Sequence, residues 1–473
     1  MTHMIRQQCV RVEVNGTEAD GLSLQRRLPD LCRQALKPAV ERVLDRYMPS
    51  DRHLSIDRLD IDAGTMSLER LELELTQAVE LALERSLREL IPVDGGSTSS
   101  ESGKIRHQTE PQRIHEAFVY FLKTGSLPWW FRLLHDQSLD QVVLDSWRQL
   151  MKTGLAPLDV TDAVRRVLQS PAGRKRLVRQ CSSLVLETLL LLLSPESEHV
   201  MSEIRQTLCR PIMSPLWTEA FERSLWETVF AYVAVGQAVI SSDLVGEAFR
   251  ALPITGTQRV GLVGLLEQHW PSAVNKAPAY HTIRSSPTPQ TLPPSEPTPL
   301  DTEDHPEARE GLYVENAGLV LLHPFLPQFF SSLGIADQGR LLQPDRALSL
   351  LHVLATGRTI APEYELVLPK ILCHVPLGMP VELNIELTPG EREETCALLE
   401  AVIRHWQALR NTSPDGLRGA FLLRPGKVSL GDDGDWLLQV EPRTHDILLD
   451  QLPWGFSMIK LPWMRRMLRV EWG

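Results

Sequence analysis

Asp57, Asp60 and Asp62 put three carboxylates close together in the chain, and clustered carboxylates are what hard cations such as calcium and magnesium coordinate. The run lacks the glycine and the closing glutamate of a calcium-binding loop, so a solvated strand face or ion pairs to Arg58 fit it better. Cys373, His374, Cys396 and His405 offer the soft donors that zinc selects. No pair among them has the short spacing of a structural site, and buried cysteines with partly exposed histidines fit the pattern better. His323 stands before Pro324 in an apolar run, where a core histidine or a helix kink outweighs a general base. The nucleophile motif GxSxG and the phosphate-binding motifs GxGxxG and GxxxxGK[ST] are absent, so no nucleophile or phosphate cradle is signalled. The NTS sequon at Asn411 carries weight only behind a secretory signal. No catalytic residue, metal ligand or cofactor site is expected, and the chain reads as a non-enzyme.

What remains is a pairing of Trp with Pro, at Pro128-Trp129-Trp130, Pro453-Trp454 and Pro462-Trp463. Tryptophan is enriched at interface hot spots because it supplies large area at low conformational cost. It is also an ordinary core residue, and the sequence leaves both readings open.

The elements that must position these residues follow from periodicity. Val10, Val12 and Val14 alternate with Arg11 and Glu13, the period of a half-buried strand over Ile5 to Val14. Leu24, Leu28, Leu31, Ala35, Leu36, Val40, Val43 and Leu44 recur at helical spacing and predict a helix from Leu22 to Tyr47. His53 to Asp62 reads as a second strand with a bulge near Asp57 and Arg58. Ser67 to Leu90 reads as a second helix, with Leu71, Leu75, Val79 and Leu83 on one stripe. Pro111 to Trp270 is helical almost throughout. FLKTGSLP at Phe121 to Pro128 is echoed by LMKTGLAP at Leu150 to Pro157, but two copies are too few for a solenoid. The last region predicts helices over Asn316 to Leu333, Asp345 to Thr356, Pro362 to His374 and Pro389 to Leu409. Lys427 to Leu430 and Trp436 to Val440 flank a Gly and Asp turn and predict a β-hairpin.

Two stretches lack apolar periodicity. Residues 93–110 are rich in Gly and Ser, and 271–310 hold nine prolines among Ser, Thr and acidic residues, compositions that cannot bury enough apolar surface to offset chain entropy. The expected layout is therefore a β-α-β-α module (1–92), a flexible linker (93–110), an all-helical module (111–270), a Pro-rich disordered linker (271–310) and a mostly helical C-terminal module with a hairpin (311–473). The fold class is mainly α and multi-domain, with a small α+β start.

Composition excludes several function classes. A net charge of -11 argues against sequence-independent nucleic-acid binding, which needs Lys and Arg on phosphates. Mean hydropathy of -0.13 is far from the membrane range. The longest apolar run, Ser183 to Leu193, is interrupted by Glu187 and is about half of the roughly 20 residues a span needs, so no membrane insertion is expected. Met1 to Val14 does not read as a signal peptide, and the six cysteines, scattered without CxxC spacing, suit reduced, mostly buried thiols in a cytoplasmic protein.

HLSIDRLDIDAG in the first module, FLKTGSLPWW in the second, and ENAGLVLLHPFLPQFF, HWQALRNTSPDGLRGAFLLRPGKV and WLLQVEPRTHDILLDQLPWGFSMIKLPWM in the third together resemble the tape measure protein family of contractile injection systems, which are phage-tail-like particles. The resemblance implies a structural protein that helps to set tube and sheath length during assembly, in contact with tube, baseplate or cap proteins. It implies assembly in the cytoplasm and a place inside the assembled particle. The residues it singles out are Trp129 and Trp130, then His323, Pro324, Phe325, Pro327, Trp406, Asn411, Trp436, Gln451, Pro453, Trp454, Gly455, Pro462 and Trp463. An extended ruler fits the chain poorly: one helix of this length would span roughly 710 Å at 1.5 Å per residue, yet 34 prolines and a hairpin describe separate globular pieces. A helical adaptor or assembly chaperone that binds partners through a Trp and Pro surface remains the alternative.

Overall fold

A computed structural model describes residues 5, 8–47, 53–56, 58–90, 105–133, 137–152, 158–208, 215–252, 270, 308–384 and 386–472. The chain is mainly α and divides into two compact units, Met1–Glu116 and Ala117–Gly473. Residues 117–270 and 311–473, expected as separate modules, fall within the second. Residues 93–104 and 271–307 of the expected linkers lie outside the described residues, as do Asp57 and residues 153–157 of the second copy of the KTG echo.

In the first unit, helix α1 (Glu18–Leu31) starts at a capping box. Thr17 Oγ1 accepts from Asp20 N, and the Asp20 carboxylate accepts from Thr17 N at 2.9 Å, satisfying donors that a helix start leaves open. A π-turn (Cys32–Leu36) joins α1 to α2 (Lys37–Tyr47). The turn ends two residues before Pro38, whose ring would clash with the carbonyl one regular turn back and whose nitrogen has no proton to give it. Strand β1 (His53–Ile56), helix α3 (Leu71–Leu90) and strand β2 (Ile105–Gln108) follow, with β1 and β2 antiparallel. The expected stripes pack as two small cores: Leu24, Leu31 and Leu71, and Val43, Leu83 and Leu87.

Three expectations differ here. The strand expected over Ile5 to Val14 does not appear: residues 8–14 belong to no ladder among the described residues. The second strand ends at Ile56, because from Arg58 onward the chain turns Leu59 and Ile61 onto the Val43 core instead of pairing its backbone. Its partner β2 comes from the stretch expected to be linker, so the described elements of this unit run α, α, β, α, β. The carboxylates there are spent locally: Asp60 pairs with Arg58 at 3.0 Å, and Asp62 accepts from the amide of Gly64.

In the second unit, α4 (Glu110–Thr124), whose last turns enter it, leads to α5 (Leu139–Lys152), α6 (Leu158–Leu168), α7 (Pro171–Gln180), α8 (Ser183–Leu193), α9 (Pro195–Leu208), α10 (Pro215–Ala234) and α11 (Ser241–Ala251). Then come β3 (Leu312–Val314), a 3₁₀ turn (Ala317–Leu322), α12 (Leu326–Ser332) and the short pair β4 (Ala336–Asp337) and β5 (Arg340–Leu341). Helix α13 (Pro344–Thr356), a 3₁₀ turn (Glu363–Glu365), α14 (Val367–Leu372) and α15 (Pro389–His405) complete the helical part. The expected helix over Asn316 to Leu333 is thus two pieces, broken at His323-Pro324. Gly318 allows the first piece to pack: a Cβ there would sit 1.7 Å from the Phe421 carbonyl oxygen, well inside contact distance.

The expected hairpin is present as β6 (Gly426–Leu430) and β7 (Trp436–Val440), turned at Gly434 with φ +83°. It belongs to a five-stranded sheet in the order β3-β6-β7-β9-β8, where β8 is Met458–Ile459 and β9 is Leu468–Trp472. β9 runs parallel to β7, so residues 441–467 form the crossover. A single core cluster gathers buried side chains from Ala308 to Val470.

Candidate functional site

The side chains with most chemistry are not those that local spacing marks. Helix α7 carries Arg176 and Gln180, four residues apart and so on one face, and both are buried. Arg176 donates to both oxygens of Glu363, from Nε to Oε2 at 2.9 Å and from Nη2 to Oε1 at 3.1 Å. Two further protons go to the carbonyls of Leu122 and Gly378, each at 2.6 Å. Lys370 Nζ donates to Glu363 Oε1 at 2.7 Å and to the carbonyls of Leu377 and Met379. Gln180 Oε1 accepts from Glu363 N at 2.8 Å while its Nε2 donates to Val381 O. Arg176 and Glu363 side chains are fully sequestered and Lys370 nearly so.

This cluster joins the helical region to the core of residues 308–470. Two cations share one carboxylate, and four backbone carbonyls supply the rest of the negative potential. Burial pulls the Lys370 ammonium below its usual range, against the pull of Glu363 in the other direction, as expected where desolvation disfavours charge. The glycine of FLKTGSLPWW makes the room: Gly125 has φ +84°, and a Cβ on it would lie 2.3 Å from Glu363 Oε1. Only glycine combines that backbone with that closeness.

A second buried ion pair closes the sheet. Arg424, fully buried, donates to Asp446 Oδ1 and Oδ2 at 2.6 and 2.8 Å and to the Glu441 carbonyl. The Trp472 ring lies 5.2 Å from the Arg424 guanidinium, and its Nε1 donates to Asp446 Oδ2. Burial works to raise the Asp446 carboxyl, but hydrogen bonds from Arg424, Arg443 N and Trp472 outweigh it and hold it at about 2, below the ordinary 3.8. A carboxylate held down in the folded state stabilises above its unfolded pKa, and that stability is lost as pH falls through the folded value. Between pH 4 and 2 the wild type should lose about 2 kcal/mol that Asp446→Asn lacks at every pH. Urea unfolding of both proteins across that window, with the curves converging at the acid end, is the check.

The tryptophans lace distant segments to the core through their indole protons. Trp406 is fully buried and donates to Leu448 O at 3.1 Å, with the Phe421 ring 4.6 Å away. Trp436 is buried in β7. Trp454 donates to Leu321 O at 3.0 Å and Trp463 to Leu372 O at 2.8 Å, both half-buried. Trp129 and Trp130 are half-buried as well, the second edge-on to Phe131. Each of these donations satisfies a backbone carbonyl far away in sequence, which suits a buried indole.

Of the other singled-out residues, Pro324, Asn411, Gln451, Pro453, Gly455 and Pro462 are exposed. His323 and Pro327 are half-buried; burial lowers the His323 pKa, and its Nδ1 lies 3.0 Å from Val320 O. Phe325 packs edge-on against Trp454 at 5.2 Å, so Pro324, Pro453 and Gly455 frame one half-buried aromatic pair. The soft-donor set does not converge: among the described residues no group of three His, Cys, Asp or Glu is placed to hold a metal. Cys181 and Cys373 are buried, whereas Cys9 and Cys396 are exposed, so the expectation of mostly buried thiols holds only in part. Cys396 lies on the solvent side of α15, opposite Leu398, Leu399 and Val402.

Arg176, Glu363, Lys370, Arg424 and Asp446 were not signalled by the sequence. Arg176 and Glu363 stand 187 positions apart, and no local pattern links them. No helix among the described residues is long and apolar enough to cross a membrane. The family model described as contractile injection system tape measure protein matches residues 2–472, essentially the whole chain. Neither the curated proteins nor the solved structures gave a match.

Proposed function

Because the chain belongs to the contractile injection system tape measure protein family, with the structural and assembly role that membership carries, we propose that it helps to set tube and sheath length as a folded assembly factor. In this reading it engages tube, baseplate or cap proteins in the cytoplasm and is carried into the assembled particle. The observation that supports a folded factor over an unravelled ruler is the buried Arg176–Glu363–Lys370 cluster. Unravelling the helical region would strip these charges of their partners, and a buried ion separated from its partner costs several kcal/mol. The aromatic pair Phe325–Trp454, framed by Pro324, Pro453 and Gly455, is the surface we assign to partner contact: it is apolar, partly exposed and fixed by the indole bond to Leu321.

The test is electron microscopy of particles assembled with about 20 Gly and Ser residues inserted within 280–295. Fully extended, the insert adds at most roughly 70 Å. An unchanged sheath length, with loss of length uniformity when the protein is deleted, is the expected result. A sheath that grows with the insert would overturn the folded-factor reading, and uniform particles without the protein would overturn length setting itself.

A further inference from the structure

The crossover between β7 and β9 carries cations without anions. Residues 451–470 hold Lys460, Arg465, Arg466 and Arg469 and no Asp or Glu, in a chain of net charge -11. Arg469 is answered by Asp433 at 2.6 Å. Arg465 is exposed and Arg466 half-buried, and among the described residues neither makes an ion pair or a hydrogen bond. The indole bond from Trp463 to Leu372 O ties this loop to the end of α14, beside His374. Burial first, and then the charges of Arg465 and Arg466, lower the His374 pKa, so a neutral ring lies next to two cations. Its Nε2 is buried without a hydrogen-bond partner, whereas buried polar atoms are nearly always paired. Its backbone is left-handed, with φ +54°, at the helix-end position where glycine is usual. His374 N bonds Ile371 O there, and Val375 N bonds Lys370 O. A side chain larger than hydrogen is strained in that conformation, and such strain gathers at functional sites. With Leu372 O taken by Trp463, the last three carbonyls of α14 all have donors, which blunts the negative end of the helix.

We propose that Arg465, Arg466 and His374 form a carboxylate-binding site, at which a short acidic segment of a partner protein docks. The guanidiniums supply charge and paired N–H donors, the geometry that suits a carboxylate. The neutral imidazole adds an Nε2–H donor without a third positive charge, and the anion gives that buried nitrogen the acceptor it lacks. A protein carboxylate suits the site better than a nucleic-acid backbone. A long polyanion meets the field of the whole acidic chain, and two arginines neutralise few phosphates. A short acidic segment meets only the local cations, because charges beyond a Debye length of about 8 to 10 Å are screened.

The test uses the full chain in solution and needs no particle, so it stands or falls apart from the length-setting role. Fluorescence anisotropy with a labelled poly-glutamate peptide should give a Kd of about 10 to 100 µM, weakening as salt is added. A poly-glutamine peptide of the same length should not bind, and a labelled single-stranded oligonucleotide should bind more weakly. The double variant R465Q/R466Q should weaken poly-glutamate binding by about tenfold or more, since it removes both charge-assisted contacts. R392Q/R410Q, which removes two other exposed arginines, should leave it unchanged. His374→Gly should weaken binding by about threefold or more with no loss in thermal unfolding midpoint, because glycine accepts that backbone freely. A ring that served packing alone would show the reverse pattern. No binding of poly-glutamate, a Kd unmoved in R465Q/R466Q or in His374→Gly, an equal loss in R392Q/R410Q, or an oligonucleotide bound as tightly as poly-glutamate would overturn the proposal.

Discussion

Glu363→Gln is expected to destabilise the second unit by about 3 to 5 kcal/mol, because it removes the carboxylate that both buried cations are bonded to. Arg176 and Lys370 are held within hydrogen-bond reach of that carboxylate and have no solvent route to relax into. The substitution keeps the shape and leaves an amide with only one oxygen for three donors. Lys370→Met is the informative contrast. It leaves Arg176 and Glu363 as a balanced bidentate pair and orphans only the Leu377 and Met379 carbonyls, for a smaller loss of about 1 to 3 kcal/mol. Equilibrium unfolding in urea, followed by tryptophan fluorescence, distinguishes the two. Equal losses would show that the cluster's charge balance is not what holds it. If the folded-factor reading is right, Glu363→Gln particles should also fall in yield and spread in length.

The second large effect is expected at Trp406. Truncation to Ala empties the largest side chain from a fully buried site and should cost about 3 to 5 kcal/mol, with a further contribution from the stranded Leu448 carbonyl. Trp406→Phe refills most of the space without the donor, and should lose only about 1 to 2 kcal/mol. Asn411→Ala, a few residues on and exposed, should change stability by less than about 0.5 kcal/mol. Thermal unfolding of the three variants orders them, and a Trp406→Ala protein as stable as Asn411→Ala would contradict its place in the core.

These contrasts mark how far the sequence could be read. Period and composition were enough for the mainly α class, the stripe on α1 to α3, the helix over residues 389–405 and the hairpin at 426–440, because each depends on neighbours a few positions away. The strand expected over Ile5 to Val14 has the right period but joins no ladder among the described residues, and pairing is a tertiary property. β2 was missed for the converse reason, as IRHQ is polar and short, and only the approach of His53–Ile56 makes it a strand. Alternation also could not foresee that β7 runs parallel to β9 across a crossover.

By itself the sequence determined the helical class, the absence of the familiar nucleophile and phosphate-binding motifs, and the family resemblance carried by HPFLP, LPWGF and their neighbours. Those are properties of residue order. Only the tertiary structure decided that Trp406 is core while Pro453 is surface, that Gly125 leaves space for a carboxylate, and that Arg176 meets Glu363. The reason is physical. Burial and ion pairing are set by which distant segments the apolar cores bring together, and a basic residue on α7 reads as solvated until the carboxylate that pairs with it arrives from 187 positions away.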